Sequence, residues 1–488
     1  MSLPERFKER MIAMLGKREA EALFDCIENT DAAKAFRVNR IKTDIENFEV
    51  SDPKIDRKSI DFPPDAYLTR EEFPGSLACH HSGAIYMQDA SAMSTVHAAD
   101  LPEGAIILDS CSAPGGKTTQ LAAAVGESGI VIANEYDRKR CRILQGNVER
   151  MGCKNVVVCN LDTAVVAETY PSFFDIVLCD APCSGEGMFR KNSRAVEEWS
   201  EDNIKMCAER QREILENVAK CVKSGGKLIY STCTFAIEEN EENVAWFLDS
   251  HHDFRLIEVK NDLRAHTSDG IMIDGCEYDM KKCRRIYPHT SLGEGQFIAV
   301  LERVSDSEKV SENKQKSDKK RKNAPEVKKT RAELEMLSAA RNFLNENLVT
   351  VPSGELMMLG ELVFLAPVVN SEAKGEQTTL RLPPYNVFAA GVCVGEVVKG
   401  RVVPHHQLFS AYGRDFKLKI MLSGNSDEAM RYLRGEEIAA SEDMISPDSA
   451  RKNGWAAVLI DGCAAGGAKV SGAIAKNHYP KGLRENNR

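Results

Sequence analysis

The chain has 488 residues, 43% of them hydrophobic and 28% charged, an ordinary globular balance at a length where one core usually divides, so two to four domains are expected. No apolar run is long enough to span a bilayer, and the charged start MSLPERFKERMIAML has no apolar core followed by a cleavage site, so neither a membrane segment nor a signal peptide is expected and the location should be cytoplasmic. A net charge of -9 argues against a protein that coats nucleic acid non-specifically, but leaves room for local basic surfaces.

Leu15, Ala22, Leu23 and Cys26 approximate helical spacing, so residues 4–26 read as a helix. In AFRVNRIK, Phe36, Val38 and Ile41 are set among Arg37, Asn39 and Arg40, which predicts a short strand with a basic outer edge. DFPPDAYLTREEFPG reads as turns. Residues 1–90 are thus expected to form a small N-terminal α+β domain.

From Ile106 the pattern changes. IILD, IVIANE, NVVVCNLD, FDIVLCDAP and GGKLIYSTCT are apolar runs bounded by turns, while TTQLAAAV, RKRCRILQGNVERMG and Ile204–Val222 are helical. Strands alternating with helices predict an α/β, Rossmann-like domain over residues 91–304, a parallel sheet covered on both faces and closed by FIAVLERV. Residues 305–329 carry almost no large apolar side chain and read as a flexible charged linker. Its Lys/Arg run at 319–322 reads as part of a soluble hinge before it reads as a phosphate contact. Beyond it, TRAELEMLSAARNFLNENL is helical, ELVFLAP and VFAAGVCVGEVV are strand-like, and GWAAVLIDG followed by KNHYPKGLR reads as strand, turn and basic tail. Domains over 330–405 and 406–488 are expected.

LDSCSAPGGKTTQ falls at a strand-to-helix turn, where ligands bind in open α/β folds. A phosphate-binding P-loop would need glycine where Cys111 stands, and the G-x-G-x-x-G fingerprint is absent. Gly115 and Gly116 would let the backbone approach a ligand. Glu135, ending the next strand, suits ribose hydroxyls, which points to an adenosine cofactor without pyrophosphate. Asp162 reads either as an adenine or ribose contact or as a helix cap.

The fifteen cysteines include no C-x-x-C pair, so no metal site is expected, and most read as reduced buried thiols. Cys183 in DAPCSGEGMFRK and Cys233 in STCT differ from the rest. Each follows the carboxyl end of a strand and faces the expected cofactor crevice, although two core cysteines remain the plainer alternative. Asp180, in the first of these motifs, is a candidate acid.

CSAPGGKT, DAPCSGEGMFRK, STCT, EENEENV and YPHTSLGEGQFIAVL together resemble the NOL1/NOP2/Sun family of RNA cytosine-C5 methyltransferases. FRVNRIK is similar to that family's N-terminal RNA-binding segment, and NHYPKGLR to the end of a PUA-like domain in its small-subunit enzymes. Without the resemblance, EENEENV reads as a solvated helix start. The resemblance implies S-adenosyl-L-methionine as cofactor, bounded by Cys111, Ser112, Ala113, Pro114, Gly115, Gly116, Lys117, Glu135, Asp162 and Asp180. It implies Cys233 as nucleophile at cytosine C6, Cys183 as the group assisting release, and Asp180 as a cytosine contact, with Lys191 and Lys117 as positioning candidates. In that chemistry the thiolate makes C5 nucleophilic, and a protonated Asp180 would donate to N3. The expected partner is 16S rRNA in the 30S subunit, the expected state a monomer. The loop DGCAAGGAK lacks an aromatic residue for stacking on RNA. The motifs leave open the same chemistry on transfer RNA or another ribosomal cytosine, or a non-catalytic RNA-binding assembly factor.

Overall fold

A computed structural model describes residues 2–43, 48, 60, 62–71, 74–304, 329–371, 376–379, 382–383 and 385–484. The expected linker, apart from Lys329, and its Lys/Arg run lie outside the described residues. No helix among the described residues is long and apolar enough to cross a membrane.

The single helix expected over 4–26 is two helices, Glu5–Leu15 and Lys17–Asn29. They break at Gly16, whose φ of 81° is left-handed and favours glycine. Each helix is amphipathic, and their buried faces (Phe7, Met11, Leu23, Phe24) join Phe189, Phe235 and Tyr287 in one cluster. Phe189 and Phe235 belong to the two cysteine motifs, so this helical pair braces the loops that carry them.

A three-stranded antiparallel sheet follows, with β1 (Ala35–Val38) between β2 (Ala66–Leu68) and β3 (Ile85–Met87). The stretch read as turns therefore contains a strand. The basic outer edge expected of β1 is also absent, because all four of its residues are buried. Arg37 donates to Gly116 O at 3.2 Å and Thr119 Oγ1 at 2.9 Å. Asn39 and Lys42 are buried too. Lys42 Nζ donates to Ser82 O, Arg150 O, Ser410 Oγ and Ala464 O, all within 2.9 Å. The segment expected to touch RNA instead ties the N-terminal, central and C-terminal regions together. Burial without a carboxylate partner pushes the Lys42 ammonium down to about 7.

The central sheet is built on β4 (Ile106–Asp109), β5 (Ile130–Asn134), β6 (Val156–Cys159), β7 (Phe174–Asp180) and β8 (Val222–Thr232). These five are parallel, in the order β6-β5-β4-β7-β8. The core lies on both faces of this sheet, which explains runs that are apolar throughout rather than alternating. Four further strands, β9 (Phe254–Ile257), β10 (Ser268–Asp269), β11 (Arg284–Ile286) and β12 (Gln296–Arg303), extend it beyond β8. The closing strand β12 runs antiparallel to β8, so the sheet is mixed. From β4 the chain builds outward to β5 and β6, then returns to the other side at β7. The carboxyl ends of β4 and β7 thus flank the switch point, where such sheets bind ligands.

Beyond the linker, helix Arg331–Asn347 starts at a capping box between Thr330 and Glu333. Strand Val387–Ala390 pairs antiparallel with the edge strand β6, joining this region to the central sheet. A separate five-stranded sheet includes Gly454–Ile460 and Cys463–Ser471. The KNHYPKGLR segment is docked rather than a loose tail. Tyr479 is 2% exposed, and His81 Nδ1 lies 3.0 Å from its hydroxyl.

Candidate active site

Three strand ends converge on one crevice. After β4, the turn Cys111–Lys117 is held by its neighbours: Ser112 N donates to Asn134 O, Ala113 N to Glu135 Oε2 at 3.2 Å, and Asn147 Nδ2 to Pro114 O at 2.8 Å. Gly115 has φ 109°, and a Cβ there would meet Leu144 Cδ1 at 3.2 Å. A Cβ on Gly116 would meet the Gln88 amide. Backbone conformation and packing against protein therefore account for both glycines, beside the ligand approach expected of them.

The turn suits a nucleoside-bearing cofactor. Asp109 Oδ1 is buried with no hydrogen-bond partner, and burial raises its carboxyl to about 7. Glu135 is buried at the crevice wall. Its oxygens accept from Ala113 N and Asp137 N, and each keeps a lone pair. Tyr136 beside it is 74% exposed. Asp162 is exposed and caps helix Thr163–Thr169 through Ala164 N at 2.8 Å. It thus takes the helix-cap alternative, with its second oxygen still available.

Asp180, at the end of β7, links the turn to the cysteines. It accepts from Lys117 Nζ at 2.7 Å, Ser231 Oγ at 2.7 Å and Gln296 Nε2 at 3.3 Å. Three donors, one a cation, make it an acceptor here, not the proton donor expected from the sequence. Cys183 Sγ and Cys233 Sγ lie 3.3 Å apart, both as free thiols and both partly exposed. The hydrogen bond with Cys233, burial and the Glu239 carboxylate hold the Cys183 thiol well above its ordinary value. When the pair loses one proton, Cys183 is therefore the sulfur that keeps its hydrogen.

The scaffold beneath is polar and closed. Glu239, Asn240, Glu241 and Asn243 are each 0% exposed, so the solvated helix start read from EENEENV is wrong. Glu239 accepts from Ser184 N and Oγ and from Gln211 Nε2, which clamps the residue after Cys183. Glu186 accepts from Thr234 Oγ1 and Phe235 N, both at 3.0 Å, which clamps the residues after Cys233. Gly187 is glycine because a Cβ would meet Cys233 O at 2.6 Å. Arg285 donates to both oxygens of Glu241, at 2.7 and 2.5 Å. Lys191 stands apart from Asp180, on Asp89 at 2.6 Å and Glu294 at 3.7 Å, so its positive charge is matched within the scaffold. Ser231, Gln296, Glu186 and Asp109 were not singled out by sequence. The only signal available was their place at strand ends or inside the cysteine motifs.

Comparison with known proteins agrees with this geometry. Residues 96–302 match the family model for 16S rRNA methyltransferase RsmB/F, residues 3–90 that for the N-terminal domain of 16S rRNA methyltransferase RsmF, and residues 420–485 that for its PUA domain. A ribosomal RNA small subunit methyltransferase F from Klebsiella pneumoniae is 31% identical over 84% of this chain and 80% of the relative. One from Aeromonas salmonicida is 27% identical over 99% of this chain and 98% of its own length. Among solved structures, a methyltransferase homolog protein from Pyrococcus horikoshii superposes with a TM-score of 0.54 at 30% identity, covering 62% of this chain and 95% of that one.

Proposed function

The chain belongs to the ribosomal RNA small subunit methyltransferase F family, and from that premise we propose that it methylates C5 of a cytosine in 16S rRNA through a covalent bond from Cys233 to C6. The observation that carries this reading is the 3.3 Å approach of two free thiols on the crevice that also holds Asp180. S-adenosylmethionine, when bound, supplies the methyl group as an electrophilic carbon on a sulfonium. Cys111–Lys117, Glu135, Asp162 and Asp180 are the residues we assign to holding it.

Cys233 Sγ adds to C6, and the electrons pushed into the ring make C5 nucleophilic. After methyl transfer the C5 proton leaves, the C6–S bond breaks and Cys233 departs as thiolate. The Cys183 thiol, kept protonated by its surroundings, donates its hydrogen to that departing sulfur and lowers the cost of its charge. Asp180 accepts from the exocyclic amine of cytosine, with Lys117, Ser231 and Gln296 fixing its orientation. This acceptor role replaces proton donation to N3. A base in a duplex hides C5 and C6 from these groups, so the target cytosine is flipped out or lies in an open strand.

A purified-protein assay with labelled donor and 16S rRNA tests the reading: Cys233→Ala should lose at least about 1,000-fold of the methylation rate, as removal of a covalent nucleophile does. Bisulfite sequencing of 16S rRNA and transfer RNA from a deletion strain identifies the substrate. Loss of a 5-methylcytosine in 16S rRNA is expected, and an unchanged 16S pattern would overturn the assignment.

A further inference from the structure

Helix Arg331–Asn347, the turn entering strand Arg401–Pro404, and the hairpin of Gly454–Ile460 with Cys463–Ser471 enclose a cleft of about 1000 Å³. Half of its wall lies outside every stretch that the family models match. Trp455 lines it, directly across the hairpin from Lys469, whose ammonium sits 5.4 Å from the ring centroid. Arg401 and Arg451 line the same cleft, and neither they nor Lys469 form an ion pair with a described residue. Behind the indole, Phe409 at 6.1 Å and His478 at 4.5 Å, edge-on, fix the ring's attitude. Leu334 and Val403 add exposed apolar surface, 54% and 47% exposed.

We infer that this cleft binds single-stranded RNA, with a base stacked on Trp455 and its flanking phosphates on Arg451, Lys469 and Arg401. The inference rests on the reading of the chain as an RNA methyltransferase and adds a second RNA site remote in sequence from the cysteines. A fixed aromatic face ringed by uncommitted cations is the combination that serves unpaired nucleic acid, because every base has a π-face and every linkage a charge. On a body with net charge -9, cations left without carboxylate partners around one ring form a local anion-attracting surface. The lysine over the ring is a long flexible chain, so an arriving base displaces it toward the phosphate that the base carries. An acidic peptide would satisfy the cations but leave the indole unused, which favours RNA.

The test uses the full chain and a fluorescent 12-nucleotide oligouridylate carrying 4-thiouridine. Trp455→Ala should weaken binding by about 10-fold, within the range of base–aromatic stacking, while Trp455→Phe stays within about 3-fold of the unaltered chain. The double change Arg451→Glu with Lys469→Glu, at exposed positions, should weaken binding by about 10-fold and flatten its salt dependence by about 1.4 in log–log slope. Photocrosslinking should mark the peptide containing Trp455. Unchanged binding in the charge-reversed protein, or crosslinks confined to other peptides, would overturn the site and leave the cleft to a protein partner. Methyl transfer by the unaltered chain to 16S rRNA, measured in parallel, separates this failure from failure of the enzyme reading. If that transfer occurs while the cleft variants bind normally, only the cleft assignment falls.

Discussion

The Arg285–Glu241 and Lys117–Asp180 pairs serve the same two loops under opposite conditions. The first is closed off, with side chains 2% and 0% exposed, and its guanidinium grips both carboxylate oxygens. The second opens on the crevice, at 12% and 30% exposed, with its carboxylate shared among three donors. A buried pair can be broken only by leaving a charge in the interior. An open pair can exchange a partner for a ligand at small cost, because water already competes for it. Exposure thus separates the charge that holds the site in shape from the charge that does its work.

Substitutions sharpen the contrast. Arg285→Ala strands Glu241 in the core and should cost about 3–5 kcal/mol of unfolding free energy in chemical denaturation. A loss below about 1 kcal/mol would mean that the pair is not structural. Asp180→Asn should reduce kcat/KM for RNA about 100-fold, or ~2.7 kcal/mol, with the melting temperature within about 2 °C of the unaltered chain. A large fall in melting temperature would move Asp180 to the scaffold side. Glu239 gives the smallest effect. Burial raises its carboxyl from 4.5 to about 7, so the folded chain binds the extra proton between those values and stability falls as pH rises through that window. The unaltered chain should lose on the order of 2 kcal/mol more than Glu239→Gln between pH 4.5 and 7. Parallel pH profiles would show that Glu239 stays ionised.

The same contrast explains what could be read from the sequence. The strands of the central sheet announce themselves as apolar runs because each is buried on both faces, and the cysteines follow from their places just beyond two of those strands. Glu239 and Glu241 look solvated in sequence because their partners Gln211 and Arg285 lie 28 and 44 residues away. Arg37 and Lys42 look like a basic edge for the same reason: their acceptors are carbonyl and hydroxyl groups of distant segments. The break at Gly16 is the opposite case. It is a local backbone event that an uninterrupted apolar spacing conceals. The pairing of Val387–Ala390 with β6 joins segments more than 200 residues apart, and no pattern in either predicts the other.

The covalent route is tested most directly by incubating Cys183→Ala with 16S rRNA and S-adenosylmethionine and resolving the products on a denaturing gel. Without the sulfur that donates to the departing Cys233 thiolate, release should stall, and a protein–RNA band should persist that disappears in Cys183→Ala with Cys233→Ala. Full turnover by Cys183→Ala with no such band, or a band that survives the second substitution, would contradict the assignment of the two thiols.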